Sequence, residues 1–225
     1  MNQVVINNRE KIGTACHNCF RALDSYHKAV EAFGTEKQRI ASTPYIQAEK
    51  ERQVNQAADK LRNAVQGHCE QIQRELETIR TAAEEMQNLM DIGADLQNAL
   101  SVVKSLGKAL PSESRFKLVE QFKGQYQALT ILKAAYEAVE ITTEPYFKGL
   151  IFDTSRAVKD LEDKAACLAD KPGENMMIAF SFGNDLEKFA QALGVELPAR
   201  YRDAVDTSAA MSRQLRAVMG LSTGD

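Results

Sequence analysis

The stretch CHNCFRALDSYH, Cys16 to His27, decides how the chain is read. Two cysteines three residues apart, with His17 and His27 beside them, suggest zinc or redox chemistry. The same residues also fit the apolar face of a helix. Ile12, Cys16, Cys19, Leu23, Tyr26, Val30 and Phe33 follow one another at spacings alternating between four and three. That rhythm puts all seven on one side of a helix packed against other helices. A free cysteine fills such a seam as a small hydrophobe. A thioredoxin-type site needs a strand ahead of its first cysteine, and no strand pattern precedes Cys16. The spacing therefore places both cysteines in a helix seam, and the helix is expected to close at Gly34, where a left-handed cap would sit.

Downstream, STPYIQAEKERQ (Ser42–Gln53) reads as the start of a second helix. Ser42 or Thr43 is placed to cap it, Pro44 suits its first turn, and Glu49 and Glu51 suit the positive end of its dipole. No strong breaker follows until Pro111. A helix from Pro44 to Leu106 would be about 95 Å long at 1.5 Å per residue. Val54, Ala58, Leu61 and Val65 start its seam, and Cys69, Ile72, Leu76, Ile79, Ala83, Met86 and Met90 continue it. The step from Val65 to Cys69 is a stutter beside Gly67, so Gly67 and Gly93 are the expected bend points.

The later helices follow from the same signals. Ser112 or Ser114 is expected to cap a third helix with Val119, Phe122, Tyr126, Leu129, Tyr136 and Val139, ending near Ile141. TTEPYF, from Thr142, opens a fourth with Phe147, Leu150, Thr154, Val158, Leu161, Ala165 and Leu168. DKPGEN is a turn by composition. MMIAFSF begins a fifth helix through Leu186, Phe189 and Leu193, closed by Gly194. Pro198 opens a last one with Tyr201, Val205, Leu215 and Met219. No aromatic residue lies between Tyr45 and Phe116, and eleven of the fifteen lie from Phe116 to Tyr201. A seam without aromatics suits a thin rod, and aromatic density suits a thicker core.

Composition narrows the classes further. The 225 residues are 44% hydrophobic and 26% charged, with 12 Gly, 5 Pro and no Trp. This is a folded, helix-rich profile. The net charge is −3 with both signs spread throughout, unlike the basic face of a nucleic-acid binder. The longest run without a charge, Asn175 to Asn184, spans ten residues, half the roughly 20 that a membrane-crossing helix needs. MNQVVINNREK has no secretory pattern, so the four cysteines are expected to be free thiols and the compartment the cytoplasm of whichever cell makes the protein.

Candidate chemistry is sparse. Cys16, Cys19, His68 and Cys69 would make a Cys₃His zinc set if the first two helices pack antiparallel, yet three of the four already have seam roles. Glu84–Glu85 and Asp160–Glu162–Asp163 sit among Lys and Arg on polar faces, as solvated carboxylates do. There is no Glu-x-x-His pair for a di-iron site, no P-loop, no dinucleotide glycine pattern and no GxSxG. The last helix has Arg200, Arg202, Arg213 and Arg216 against Asp203 and Asp206, a set able to dock on an acidic partner. No catalytic, cofactor or metal residue is assigned.

One resemblance adds to this. The STPYI entrance (Ser42 to Ile46) and the run QAEKERQVNQAADKLRNAV behind it resemble small helical products of the head genes of tailed bacteriophages. The likeness covers about the first hundred residues. Phage scaffolding proteins are elongated helical oligomers whose basic C-terminal helical segment binds the coat protein. Here the last helix is similar in position and less basic.

The sequence therefore predicts an all-α protein, an elongated, coiled-coil-like bundle of about six helices with one long central helix. Residues 1–110 are expected to form the N-terminal helix and the long helix, and residues 111–225 a compact helical bundle. The expected role is a non-enzymatic, homo-oligomeric structural or assembly protein, phage virion or scaffolding-like, with no nucleic acid partner and no membrane span. The alternatives are a helical membrane-surface or pore-forming-toxin-like module, and a small metal protein built on Cys16, Cys19, His68 and Cys69.

Overall fold

The computed structural model describes residues 3–88, 93–170 and 176–197. The seam of Cys16 lies on α1, Gln3–Ala41, and its continuation on α2, Gln47–Gln87. The two run antiparallel: the Asn18 amide donates to Glu75 Oε1 at 3.0 Å, and Lys11 lies 3.9 Å from Glu85. Ile12, Cys16, Cys19 and Tyr26 of α1 are buried against Val65, Ile72, Leu76 and Ile79 of α2. Each such fully buried aliphatic side chain is worth about 1.5–3 kcal/mol relative to exposure.

Several expectations about these helices are corrected. Gly34 does not cap α1, which continues to Ala41. Gly34 has no positive φ, and an Arg39–Glu36 ion pair supports the extra turns. Ser42 and Thr43 do not cap α2 either. Their hydroxyls donate backwards, to the carbonyls of Arg39 and Ile40, and so finish α1. The cap position of α2 falls to Ile46, with no side-chain bond. The 95 Å helix is also too long. α2 passes straight through Gly67 and stops at Gln87, which makes it about 60 Å. A separate α3, Ala94–Leu106, follows with Gly93 at its cap.

After a 3-10 turn at Gly107–Ala109 come α4 (Ser112–Glu120), α5 (Tyr126–Ala138), α6 (Glu144–Phe147), α7 (Thr154–Asp170) and α8 (Met176–Ala192). The expected third helix is thus two, split where Gly124 takes φ +80°. The expected fourth is also two, split around Gly149 at φ +75°. Pro111, not Ser112 or Ser114, holds the cap position of α4. The fold is all-α, with eight α-helices among the described residues where about six were expected. The expected helix after Pro198 lies outside the described residues.

Among the described residues the apolar side chains gather in two clusters. The first joins α1, α2, α7 and α8 into a four-helix frame, with Val158, Leu161, Ala165, Phe182 and Leu186 completing the α1–α2 seam. Arg80 pairs with Glu162 between α2 and α7, and Lys164 with Asp185 between α7 and α8. α8 and the segment after it lie close on α1: a Cβ on Gly183 of α8 would sit 3.6 Å from Leu23, and one on Gly13 would sit 3.4 Å from Val195, just past α8. The second cluster is the unit α3–α6, packed around Leu96, Val103, Leu129, Leu132 and Tyr136. The clusters cut across the expected division at residue 110, because α3 packs with α5 while α7 packs on α2. The unit is an insertion into the frame. The chain leaves at Gln87 and returns at Thr154, and the side chains of these two residues are hydrogen-bonded to each other.

Candidate functional site

The cysteines of the opening stretch are core residues. Cys16 and Cys19 are fully buried, Cys69 is buried opposite them on α2, and the Cys19 thiol lies 3.9 Å from the Ile72 carbonyl oxygen. Burial pushes the Cys16 thiol up to about 12, with Glu75 adding to it, and pushes Cys69 up to about 11. Cys19 is raised further, by burial first and then by Cys16 and Glu75. Burial favours the neutral thiol at these sites, whereas nucleophilic chemistry needs the thiolate. Among the described residues no three His, Cys, Asp or Glu side chains converge as metal ligands would, so Cys16, Cys19, His68 and Cys69 are not assembled into one site.

A polar cluster that sequence reading missed lies in the α3–α6 unit. The Tyr146 hydroxyl is 3.2 Å from Ser112 Oγ and accepts from Arg115 Nη1 at 3.3 Å. Arg115 lies over the Tyr146 ring and donates to the Lys108 carbonyl, while the Tyr136 hydroxyl donates to the Arg115 carbonyl. Ser112 and then Arg115 hold the Tyr146 phenol below its ordinary range, and burial pushes Tyr136 up to about 12. The cluster ties α4 to α5 and α6. These residues are separated by 21 to 34 positions, so no local spacing could have signalled them.

The most distinctive surface is the far end of the α1–α2 pair. Beyond Tyr26 on α1 and before Leu61 on α2, Ile40 is the one side chain that is fully buried. Over this stretch α1 and α2 form a two-helix arm about 20 Å long. Val30, Phe33, Val54, Ala57 and Ala58 are only partly covered along it. Its tip is apolar: Ile46 is 76% exposed and Tyr45 45% exposed. Two adjacent large apolar side chains at a loop tip are unusual for a turn, which is ordinarily polar. The sequence held the signal, since Tyr45 and Ile46 follow Pro44 between two seams and belong to neither.

A second partly apolar surface runs along α7 and α8. One groove of about 570 Å³ is lined by Asp160, Asp163, Lys164, Cys167, Met177, Ile178 and Ser181, with Met177 67% exposed. Burial works to raise the Asp185 carboxyl nearby, but Lys164, Lys188 and Ser181 together hold it below its ordinary value. No helix among the described residues is long and apolar enough to cross a membrane. Arg200, Arg202, Arg213 and Arg216 lie outside the described residues. Compared with known protein families, curated proteins and solved structures, the chain matches none of them.

Proposed function

We propose that the protein is a non-enzymatic assembly component, akin to virion or scaffolding-like proteins of tailed bacteriophages, that works by helix–helix association. The observation that carries this reading is the α1–α2 arm, whose tip exposes Tyr45 and Ile46. An arm with one half-covered seam gains by burying that seam against another helix, most simply the same arm of a second copy. Buried thiols with raised pKa values and dispersed ion pairs fit a structural role. In this reading Arg200, Arg202, Arg213 and Arg216 are the handle for an acidic surface of another structural protein.

Analytical ultracentrifugation with light scattering tests it. The wild type is expected as a dimer or larger species with a high frictional ratio. Tyr45→Asp with Ile46→Asp is expected to shift it to monomer with helicity and melting temperature unchanged. A compact wild-type monomer at micromolar concentration overturns the reading.

A further inference from the structure

Away from the Gln87–Thr154 link, and beside a contact of α2 with α5, the frame and the inserted α3–α6 unit meet at a junction around Arg9. From α1, the Arg9 Nε donates to the Leu193 carbonyl at 3.1 Å, and Nη2 donates to the Lys123 carbonyl at 2.6 Å. Leu193 stands at the C-terminal end of α8, where unsatisfied carbonyls concentrate negative charge. Lys123 stands in the turn between α4 and α5. One half-buried guanidinium therefore joins a frame helix end to the inserted unit, a task that suits the forked donor geometry of arginine.

The backbone around it is built for close approach. Gly124 has φ +80°, and a Cβ there would run into Met86 Cε and fall 2.9 Å from the Leu193 carbonyl oxygen. Gly194 has φ +73°, and a Cβ there would fall 2.7 Å from Arg9 Nη2. Both glycines thus serve the same junction, one on each side of the cation. Away from it, each unit has its own apolar core.

We infer that Arg9 is a latch that holds the α3–α6 unit against the four-helix frame, and that the two units part at this junction while each keeps its helices. Parting uncovers Met86 and the end of α8 on the frame and the Phe122–Gly124 turn on the insert, so the latch controls access to a new surface. The inference is independent of the assembly reading above, since it concerns one chain only.

The test uses the full chain labelled at two exposed positions: native Cys167 on α7 and a cysteine replacing Thr130 on α5, both exposed. Spin-label distance measurement on a dilute sample is expected to give one narrow distribution for the otherwise wild-type protein. Arg9→Ala and, separately, Gly124→Ala are expected to broaden it and extend it to longer distances, with circular dichroism showing unchanged helix content. Arg9→Lys keeps the charge but not the fork, and is expected to fall between wild type and Arg9→Ala. A distribution that stays narrow in Arg9→Ala and Gly124→Ala overturns the latch. Cooperative loss of all helices in all three variants also overturns it, because the units would then be one folding body.

Discussion

At the scale of single residues, the core carries one clear misfit. Asn8 is 1% exposed on α1, in line with Val5 and Ile12, and neither its amide nitrogen nor its oxygen has a hydrogen-bond partner among the described residues. Replacing such a group by an apolar one of similar size is neutral or stabilising. Asn8→Leu should raise stability by about 1 kcal/mol in denaturant titrations, and a clear loss would mean that the amide is partnered within the fold. The cysteines give a second expectation. A thiol reagent added to the native protein should modify Cys167 alone, and Cys16, Cys19 and Cys69 should react only on unfolding. Rapid native labelling of all four would contradict the buried seam. The third concerns His27, whose Nδ1 is buried with no partner among the described residues. Burial lowers its pKa from the ordinary 6.5, against a smaller opposite pull from Asp24. The unfolded chain therefore takes up the proton first, and stability is lost as pH falls from about 6.5 through the lower folded value. Melting curves from pH 7 to pH 5 should show this loss, and His27→Phe should flatten it.

Among the helices, glycines separate what spacing can say from what it cannot. Gly34 and Gly67 lie inside α1 and α2, and a Cβ on either would meet nothing within 4 Å. Gly34→Ala and Gly67→Ala should each stabilise by about 0.5–1 kcal/mol. Gly194→Ala should instead destabilise, by about 1 kcal/mol or more, because φ is positive and Arg9 fills the space. Chemical denaturation of the three variants checks both signs. Nothing in the letters distinguishes these glycines, so Gly34 reads as a stop and Gly124 passes unnoticed inside a helix. The seams of α1, α2, α7 and α8 were legible because three-and-four spacing follows directly from helix geometry. Two things were not legible. The breaks at residues 121–125 and 148–153 are set by positive-φ glycines, one of them at a tertiary junction. Which seams face each other was also hidden, since a stripe of Leu, Ile and Ala looks alike to any partner. Hence α7 was expected with α4 and α5, and the chain places it on α2.

For the molecule as a whole, the frame is held by apolar packing and ion pairs such as Arg80–Glu162. A chelator should therefore leave the melting temperature unchanged, and a drop in scanning calorimetry would revive a metal role for Cys16, Cys19, His68 and Cys69. The candidate surface was only half visible beforehand: Tyr45 and Ile46 were in plain sight, but their exposure depends on α7 and α8 being packed on the other end of the α1–α2 pair. The pinch at Gln87 and Thr154 has a consequence for synthesis. Half of the four-helix frame, α1 and α2, leaves the ribosome first, and its other half comes only after the whole insert. At about 5–20 residues per second, α8 follows α2 by roughly 5–20 s. Throughout that interval Val65, Ile72, Leu76 and Ile79 have α1 on one side and water on the other. The nascent hairpin is thus the stage at which a chaperone, or the same hairpin on a neighbouring ribosome of one polysome, can reach the seam before α7 and α8 arrive to close it.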